Sequence, residues 1–249
     1  MKRPVAELAG LHLAGNAMLL WLGYYWLGIG ESDAAHLAWS AAVVLALALG
    51  ALWLHGTAMA LFGESERRFG AAARTAFRHL APLFVGAIAA GVLYGLLAWW
   101  HDSFGHKAFV IGSYATMKLR KPVAPARVLD GFEVVIWLLR WMAVPAILFR
   151  LGASVAVRGW AGFRLPWAAP RLGWLYGIAV CGLLVCAIWA PLKLIDWVPH
   201  AKEFGVQMAS FVSRLGAGYL LFAGGLLAVE FLTSSGRPRA SQANTVASP

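Results

Sequence analysis

The sequence from His36 to Phe62 is HLAWSAAVVLALALGALWLHGTAMALF, and these 27 residues include no Asp, Glu, Lys or Arg. An α-helix rises about 1.5 Å per residue, so roughly 20 apolar residues cross the hydrocarbon core of a bilayer. Apolar residues occur on every side of this stretch rather than along one stripe, which is typical of a helix surrounded by lipid. The stretch therefore predicts a transmembrane helix.

Five further segments have the same length and apolar character: 8–29, 82–100, 132–149, 172–194 and 205–232. They are continuous runs, whereas a membrane β-barrel shows segments of alternating hydrophobicity. The fourth segment is the least regular, because it contains Arg140 and because Pro145 is expected to kink a helix. The sequence therefore predicts an all-α, polytopic integral membrane bundle of six transmembrane helices, forming one domain over residues 1–233.

The composition leads to the same class of protein. Of the 249 residues, 61% are hydrophobic and 13% are charged, whereas a soluble globular domain has about 25% charged residues. So few polar residues cannot coat a water-soluble particle, and so many apolar residues exclude a disordered chain. Cys181 and Cys186 are the two cysteines, which are too few for a disulfide scaffold.

Lys and Arg are concentrated at the N-terminus and after the second and fourth spans, while the first turn carries Glu31 and Asp33. By the positive-inside rule, this distribution predicts that both termini are cytoplasmic. The segment 101–131 conflicts with the rule, because it carries five bases and is expected outside. The net charge of +10 predicts contacts with anionic lipid headgroups rather than with nucleic acid.

Three of the regions outside the predicted spans have a distinctive composition. Residues 64–80 repeat apolar side chains at helical spacing among arginines, which predicts an interfacial amphipathic helix. Residues 101–131 form the predicted extramembrane loop, which could hold a short surface helix or hairpin but is expected to be mostly irregular because it contains Pro122, Pro125 and Gly131. The final residues, 234–249, are poor in large apolar groups and are predicted to be a disordered tail.

The segment 202–215 resembles the segment 64–80, since Phe204-Gly205 matches Phe69-Gly70. With three spans in each half, a duplication would make a 3+3 inverted repeat, as in many secondary transporters. The alternative is two similar helix starts without duplication.

Rows of small residues at four-residue spacing occur on two spans: Ala42, Ala46 and Gly50 on the second, Gly91 and Gly95 on the third. Such rows let helix backbones approach closely in lipid. Packing within the chain is the favoured interpretation, and formation of a homo-oligomer is the other.

Ionisable groups inside hydrocarbon cost about 2.5–3.5 kcal/mol each on insertion scales, so each needs a partner or a function. His12 and Asn16 share a face of the first span, and His55 lies at a matching depth on the second. Two imidazoles at one depth could bind haem b from both sides, relay protons or bond each other and Asn16. The structural interpretation is favoured, and no cofactor or metal is predicted.

Arg140 and Arg214 lie at similar depths in the outer third of the core, and Glu133 lies two helical turns before Arg140. Snorkelling arginines, with Glu133 as a partner, are one interpretation. The other is a ligand site in which both guanidinium groups bind a lipid phosphate or a carboxylate.

Glu7 and Glu230 lie near the inner ends of the first and sixth spans. Anchoring of helix ends, with Arg150 or the terminal bases as counter-ions, is the ordinary explanation. Proton coupling is the alternative.

No catalytic residue is predicted, because the sequence has no Gly-x-Ser-x-Gly elbow, His-Glu-x-x-His pair or P-loop. His101, Asp102 and His106 cluster at the outer end of the third span, and they would serve a membrane-embedded enzyme acting on lipid. Their spacing matches no metal site.

The stretch from Arg67 to Gly95, a basic amphipathic segment before an Ala/Leu/Gly-rich span, resembles segments of bacterial multipass membrane proteins of unknown function. It is loosely similar to the membrane modules that accompany some glycerophosphodiester phosphodiesterases, but it contains no functional motif of that family. The resemblance implies a non-catalytic module. The sequence therefore predicts a non-enzymatic, transport-like or accessory membrane protein, with a haem-binding electron-transfer subunit and a lipid-acting enzyme as alternatives.

Overall fold

A computed structural model gives the structure of residues 2–30, 32–63, 68–164, 173–199 and 203–235. All regular structure in these residues is helical, and six stretches are long and apolar enough to cross a membrane: Pro4–Leu27, Ala34–Gly63, Leu80–Gly105, Pro125–Arg164, Gly173–Asp196 and Phe204–Ser234. The predicted all-α bundle with six spans is confirmed. The predicted tail lies, from residue 236 onward, outside the described residues.

The first, second, third and sixth spans each lie within one long helix, whereas the fourth and fifth spans are divided into shorter helical segments. The α-helices are α1 (Lys2–Leu27), α2 (Ala34–Gly63), α3 (Phe69–Arg78), α4 (Leu80–Leu119), α5 (Pro125–Leu138), α6 (Val144–Arg158), α7 (Gly173–Leu184), α8 (Ala190–Asp196) and α9 (Phe204–Ser235). A 3₁₀ segment, Gly159–Arg164, follows α6. The second span, α2, lies at the centre, with α1, α3, α4, α6 and α9 packed around it.

The prediction of an irregular loop over 101–131 is wrong. The helix α4 continues to Leu119 and α5 begins at Pro125, so the connection between them is short. Arg120 ends α4 in the left-handed conformation, and Pro125 occupies a first-turn position, where its missing N–H costs nothing. The prolines therefore mark the start of a helix. The Thr116 hydroxyl closes the turn by accepting the N–H of Val123 at 2.9 Å.

The amphipathic helix predicted over 64–80 is present as α3, while residues 64–67 lie outside the described part. Its apolar face buries Ala72 and Ala76, and Trp53 of α2 donates its indole N–H to the Ala73 carbonyl at 3.1 Å. The matching segment near Phe204 is different, since α9 runs from there as one continuous helix. Both segments thus begin a helix at the matched phenylalanine and differ in where that helix ends, so the inverted repeat stays a prediction.

Gly91 and Gly95 do not pack inside the chain, contrary to the favoured prediction. Both are exposed, and a Cβ added to either would meet nothing within 4 Å in the described structure. Gly50 on the second span does pack as predicted, since a Cβ there would lie 3.1 Å from Leu19.

Two spans are interrupted by a π-helical turn: Leu139–Ala143 in the fourth and Val185–Trp189 in the fifth. Each is followed by a proline at the second position of the next helix, Pro145 or Pro191. The amide of Val144 donates to the Leu139 carbonyl, five residues back. In that register the next donor would be residue 145, but proline has no N–H. The kink expected at Pro145 is thus accompanied by an extra residue in the turn before it.

The Arg140 carbonyl, which this register leaves without a donor from residue 145, has a partner on another span. The Tyr94 hydroxyl on α4 donates to it at 3.0 Å. A buried carbonyl without a partner costs as much as a lost hydrogen bond, so Tyr94 stabilises the π-turn from outside.

Candidate functional site

Three helices bring three titratable side chains together inside the bundle. His12 lies on α1, His55 on α2 and Glu230 on α9. Nε2 of His12 is 3.1 Å from Oε2 of Glu230, and Nδ1 of His55 is 2.5 Å from Oε1 of the same carboxylate. The carboxylate therefore connects the first two spans with the last one. We call His12, His55, Glu230 and the neighbouring Asn16 the polar cluster.

The polar cluster is almost completely shielded from the surroundings of the bundle. His12 and Glu230 are each 1% exposed and Asn16 is 3% exposed, whereas the His55 side chain retains 26% exposure. A buried carboxylate without partners would be too costly to keep ionised. Two imidazoles on one carboxylate supply those partners, and His55 is the member that reaches the surface.

Asn16 determines which nitrogen of His12 carries the proton. Nδ2 of Asn16 lies 2.7 Å from the His12 carbonyl oxygen and 2.9 Å from Nδ1 of the ring. A carbonyl oxygen can only accept, so the amide atom facing it must be the NH₂ nitrogen. That group therefore also donates to Nδ1, which leaves the ring proton on Nε2, pointing at Glu230. The i,i+4 spacing of the two residues on α1 produces this arrangement.

Glycine allows α1 and α2 to approach closely beside the cluster. A Cβ added to Gly15 would lie 2.9 Å from Cδ2 of Leu54, and these two residues are the chain neighbours of Asn16 and His55. Leu54 is 2% exposed, so it has little room to move away. The glycine therefore helps to set the separation at which both histidines reach one carboxylate.

The predicted proximity of His12 and His55 is confirmed, because their ring centroids lie 5.1 Å apart in an edge-to-face arrangement. This geometry does not fit haem held between the two rings. Axial imidazoles point at one iron from opposite sides of a flat macrocycle. Here both rings bond to the Glu230 carboxylate, so no slot for a macrocycle separates them.

A metal ion bound by Nε2 of His12 would require that nitrogen to carry no proton. The potential ligand atoms of His12, His55 and Glu230 lie within 4.8 Å of one another, and two histidines with one glutamate occur in zinc enzymes. However, the contact with Asn16 leaves the proton on Nε2 of His12, and a protonated nitrogen offers no lone pair to a metal. The hydrogen-bond pattern therefore fits a proton site better than a metal site.

The sequence offered Arg150 or the terminal bases as counter-ions of Glu230, but the described partners of Glu230 are the two histidines, and the side chains of the terminal bases lie outside the described part. The Arg150 guanidinium instead lies 4.4 Å from the ring centroid of Tyr176. The Tyr176 hydroxyl in turn contacts Thr233 of α9 at 3.0 Å. Glu7, the other predicted proton-coupling residue, is an exposed side chain five residues before His12 on α1.

The structure does not bring Arg140 and Arg214 into one site. Arg140 lines a cavity between the second, third, fourth and fifth spans, whereas Arg214 lines another cavity formed by α9 and the segment after α8. Their similar depth was therefore not evidence of a shared ligand.

Arg214 holds the end of a helix. It is 9% exposed, and its Nη1 donates to the carbonyl of Ile195 at 2.9 Å and to that of Trp197. Its Nε donates to the Ser210 carbonyl at 3.2 Å. A cation bonded to the last carbonyls of a helix is a favourable C-terminal cap, so Arg214 fastens α8 to α9.

Glu133 pairs with a histidine rather than with Arg140. Its Oε1 lies 2.8 Å from Nε2 of His101, and Nδ1 of His101 lies 3.4 Å from Asp102. Glu133 is 54% exposed, so this group lies on the surface of the α4–α5 pair. The side chain of His106, the third member of the predicted outer cluster, lies outside the described part.

Comparison of the chain with protein-family models, with curated proteins and with solved structures gave no match.

Proposed function

We propose that this chain is a non-enzymatic, transport-like module of a bacterial cytoplasmic membrane, and that the polar cluster binds and releases one proton. The observation that carries the proposal is the Glu230 carboxylate, shared by two imidazoles from two other spans and 1% exposed. Buried carboxylates and histidines within membrane spans are typical of proton pathways. The concentration of bases at the N-terminus and after the second and fourth spans supports cytoplasmic termini.

The protonation of the cluster has two states that differ by one charge. With Glu230 ionised and both rings neutral, the cluster carries one negative charge. Addition of one proton between Glu230 and His55 makes it neutral, and the Asn16 contact keeps His12 as a donor in both states. His55 is the exchange point with the surroundings because its ring is partly exposed.

The two states also differ in how strongly three helices are held together. An ionised Glu230 accepts charge-assisted hydrogen bonds from α1 and α2, and such bonds are roughly twice as strong as neutral ones. A proton arriving at this point therefore changes the attraction between α9 and the first two spans. This is the property that a proton-coupled conformational change requires.

Proton uptake by the purified full chain tests the cluster directly. A pH-indicator dye in unbuffered detergent solution counts the protons that the protein takes up as acid is added. The wild type is expected to take up about one proton more than Glu230→Gln. The matched control, Glu133→Gln, removes an exposed carboxylate and is expected to leave the uptake unchanged.

A second variant keeps the proposal testable if Glu230→Gln does not fold. His55→Gln replaces the partly exposed histidine of the polar cluster, and it is also expected to lower the number of protons taken up. Equal uptake by the wild type and by both variants would disprove the proposed proton site.

Proton flux distinguishes a transporter from an accessory protein. Proteoliposomes containing a trapped pH dye and a potassium diffusion potential are expected to acidify faster with the wild type than with Glu230→Gln. Normal uptake in detergent together with identical flux for the two proteins would contradict the transport-like role and leave a proton-binding accessory module.

A further inference from the structure

A cavity of about 660 Å³ opens between four spans, away from the polar cluster. It is lined by Met59 of α2, Tyr94 of α4, Arg140, Pro145 and Phe149 along the fourth span, and Ile188 in the fifth. Cavities of about 300–1,000 Å³ accommodate single small ligands. This cavity therefore has room for one such molecule.

Arg140 is the charged residue of the cavity lining, and Tyr94 and Trp141 are the other lining residues with polar side-chain atoms. The Tyr94 hydroxyl already donates to the Arg140 carbonyl, so the guanidinium is the cationic donor that remains for a ligand. Among the residues that the structure describes, no carboxylate forms an ion pair with Arg140. The Arg214 guanidinium, by contrast, already donates hydrogen bonds to three backbone carbonyls.

The local backbone of the cavity wall is a second, independent observation. Arg140 and Trp141 lie in one π-helical turn and Ile188 lies in the other, and all three line the cavity. A π-turn inserts one residue and rotates the side chains before it relative to those after it, and such turns occur frequently at functional sites. Both π-helical turns thus contribute residues to the wall of the same cavity.

The positions along the fourth span give the cavity a polar end and an apolar end. Arg140 is the first lining residue of this span, and Phe149 is the last. The nine residue steps from Arg140 to Phe149 correspond to about 13 Å of helix. A ligand that matches this wall has an anionic head near Arg140 and an apolar body extending toward Phe149.

We propose that this cavity binds an anionic amphiphile, a single apolar chain with a carboxylate or phosphate head, and that Arg140 binds the head. The guanidinium can donate two parallel hydrogen bonds to two oxygens of either head. The apolar walls exclude a small hydrophilic anion, since they give it nothing in return for lost hydration. The site does not depend on the proton site proposed above, because the two share no residue.

Native mass spectrometry of the delipidated full chain, with dodecanoate as the probe, tests this site. One dodecanoate is expected to bind per chain, and Arg140→Gln is expected to weaken its binding at least tenfold. Arg127→Gln, which removes an exposed arginine of the same span, is the matched control and is expected to bind like the wild type. Leu148→Trp, which fills the cavity and keeps the charge, is expected to weaken binding as well.

Three further probes separate the sources of binding. Dodecyl phosphate reports a phosphate head of a membrane lipid, and tight binding of either anion, lost in Arg140→Gln, supports the proposal. Dodecanol, which has the same chain without charge, is expected to bind at least tenfold more weakly than dodecanoate. Equal binding of dodecanol, equal binding of acetate, or unchanged binding by Arg140→Gln would each overturn the proposal, and unfolding midpoints close to the wild type establish that the variants are folded.

Discussion

The carboxylate of Glu230 and the imidazole of His12 are 218 positions apart in the chain and 3.1 Å apart in the folded protein. The contact joins the first spanning helix to the last, and His55 adds the second helix through the same carboxylate. A polar contact of this kind has no competition from water inside the bundle, so it fixes which faces of the three helices meet.

Replacement of Asn16 by leucine is expected to free the tautomer of His12. The amide of Asn16 is the donor to Nδ1, and without it Glu230 is the remaining partner that favours the ring proton on Nε2, so the preference for that tautomer is weaker. Histidine ¹⁵N NMR of the wild type is expected to show the proton on Nε2, and Asn16→Leu is expected to show a mixture of the two tautomers. A proton on Nδ1 in the wild type would contradict the assignment.

The same substitution is expected to lower the free energy of unfolding by about 1–3 kcal/mol, because it leaves a buried polar atom of His12 without its partner. Denaturant unfolding in detergent measures this loss. Ser103→Ala is a suitable control, since its hydroxyl bonds only within its own helix, to the Trp99 carbonyl at 2.8 Å.

Loss of the Arg214 guanidinium is expected to detach α8 from α9. Arg214→Met keeps most of the apolar stem and removes the donors to Ile195, Trp197 and Ser210. Hydrogen bonds from charged groups contribute about 1.5–3 kcal/mol each, so a loss of at least about 2 kcal/mol is expected. Thermal unfolding checks it, with the exposed Lys193→Gln as the control, and an unchanged midpoint for Arg214→Met would refute the capping role.

Tyr94 and Pro145 are expected to be energetically coupled. Tyr94→Phe removes the donor to the Arg140 carbonyl and is expected to cost about 1 kcal/mol. Pro145→Ala supplies a backbone N–H that can reach that carbonyl, so the cost of Tyr94→Phe is expected to be smaller in the alanine background. A double-mutant cycle of unfolding free energies measures the difference, and strictly additive effects would contradict the explanation of the π-turn.

Asp33 provides a test of pH dependence outside the spans. Its pKa lies below the ordinary value of 3.8, because the backbone N–H and the ring of His36 donate to the carboxylate. A lowered pKa in the folded state stabilises the protein above the unfolded pKa, and that contribution is lost as the pH falls through the folded value. Asp33 caps the start of α2, so acid is expected to weaken this cap.

The acid effect is measurable with one conservative variant. Asn at position 33 keeps a side-chain oxygen for the cap but does not titrate. The unfolding midpoint of Asp33→Asn is therefore expected to fall less than that of the wild type between about pH 5 and pH 2. An equal fall in the two proteins would show that Asp33 contributes nothing to the acid response.

The six spans could be predicted because each depends only on the local length and polarity of the chain. The nearness of His12 and His55 could be predicted as well, since a short turn joins α1 and α2 and residues equally far from it lie at one depth. Glu230 could not be assigned as their partner from the sequence. Its depth was accessible, but the rotation of α9 about its own axis and its neighbours in the bundle depend on packing across the whole fold.

The same limit explains the failed prediction for Arg140 and Arg214. Depth in the membrane can be read from one helix at a time, whereas a common site requires that two helices place these side chains in the same cavity.

The helix that continues beyond residue 101 was missed for a different reason. Pro122 and Pro125 are signals of a turn or of a helix start, and only the α-helical pairing of α4 and α5 decides between the two.

The position of Glu230 on the final helix has a consequence for biosynthesis. A ribosome adding roughly 5–20 residues per second needs about 10–35 s to make the 175-residue interval that separates His55 from this glutamate. During that time the first and second spans are made before the Glu230 carboxylate that forms hydrogen bonds with their histidines. Synthesis of α9 therefore supplies the carboxylate that pairs the imidazoles of the first and second spans.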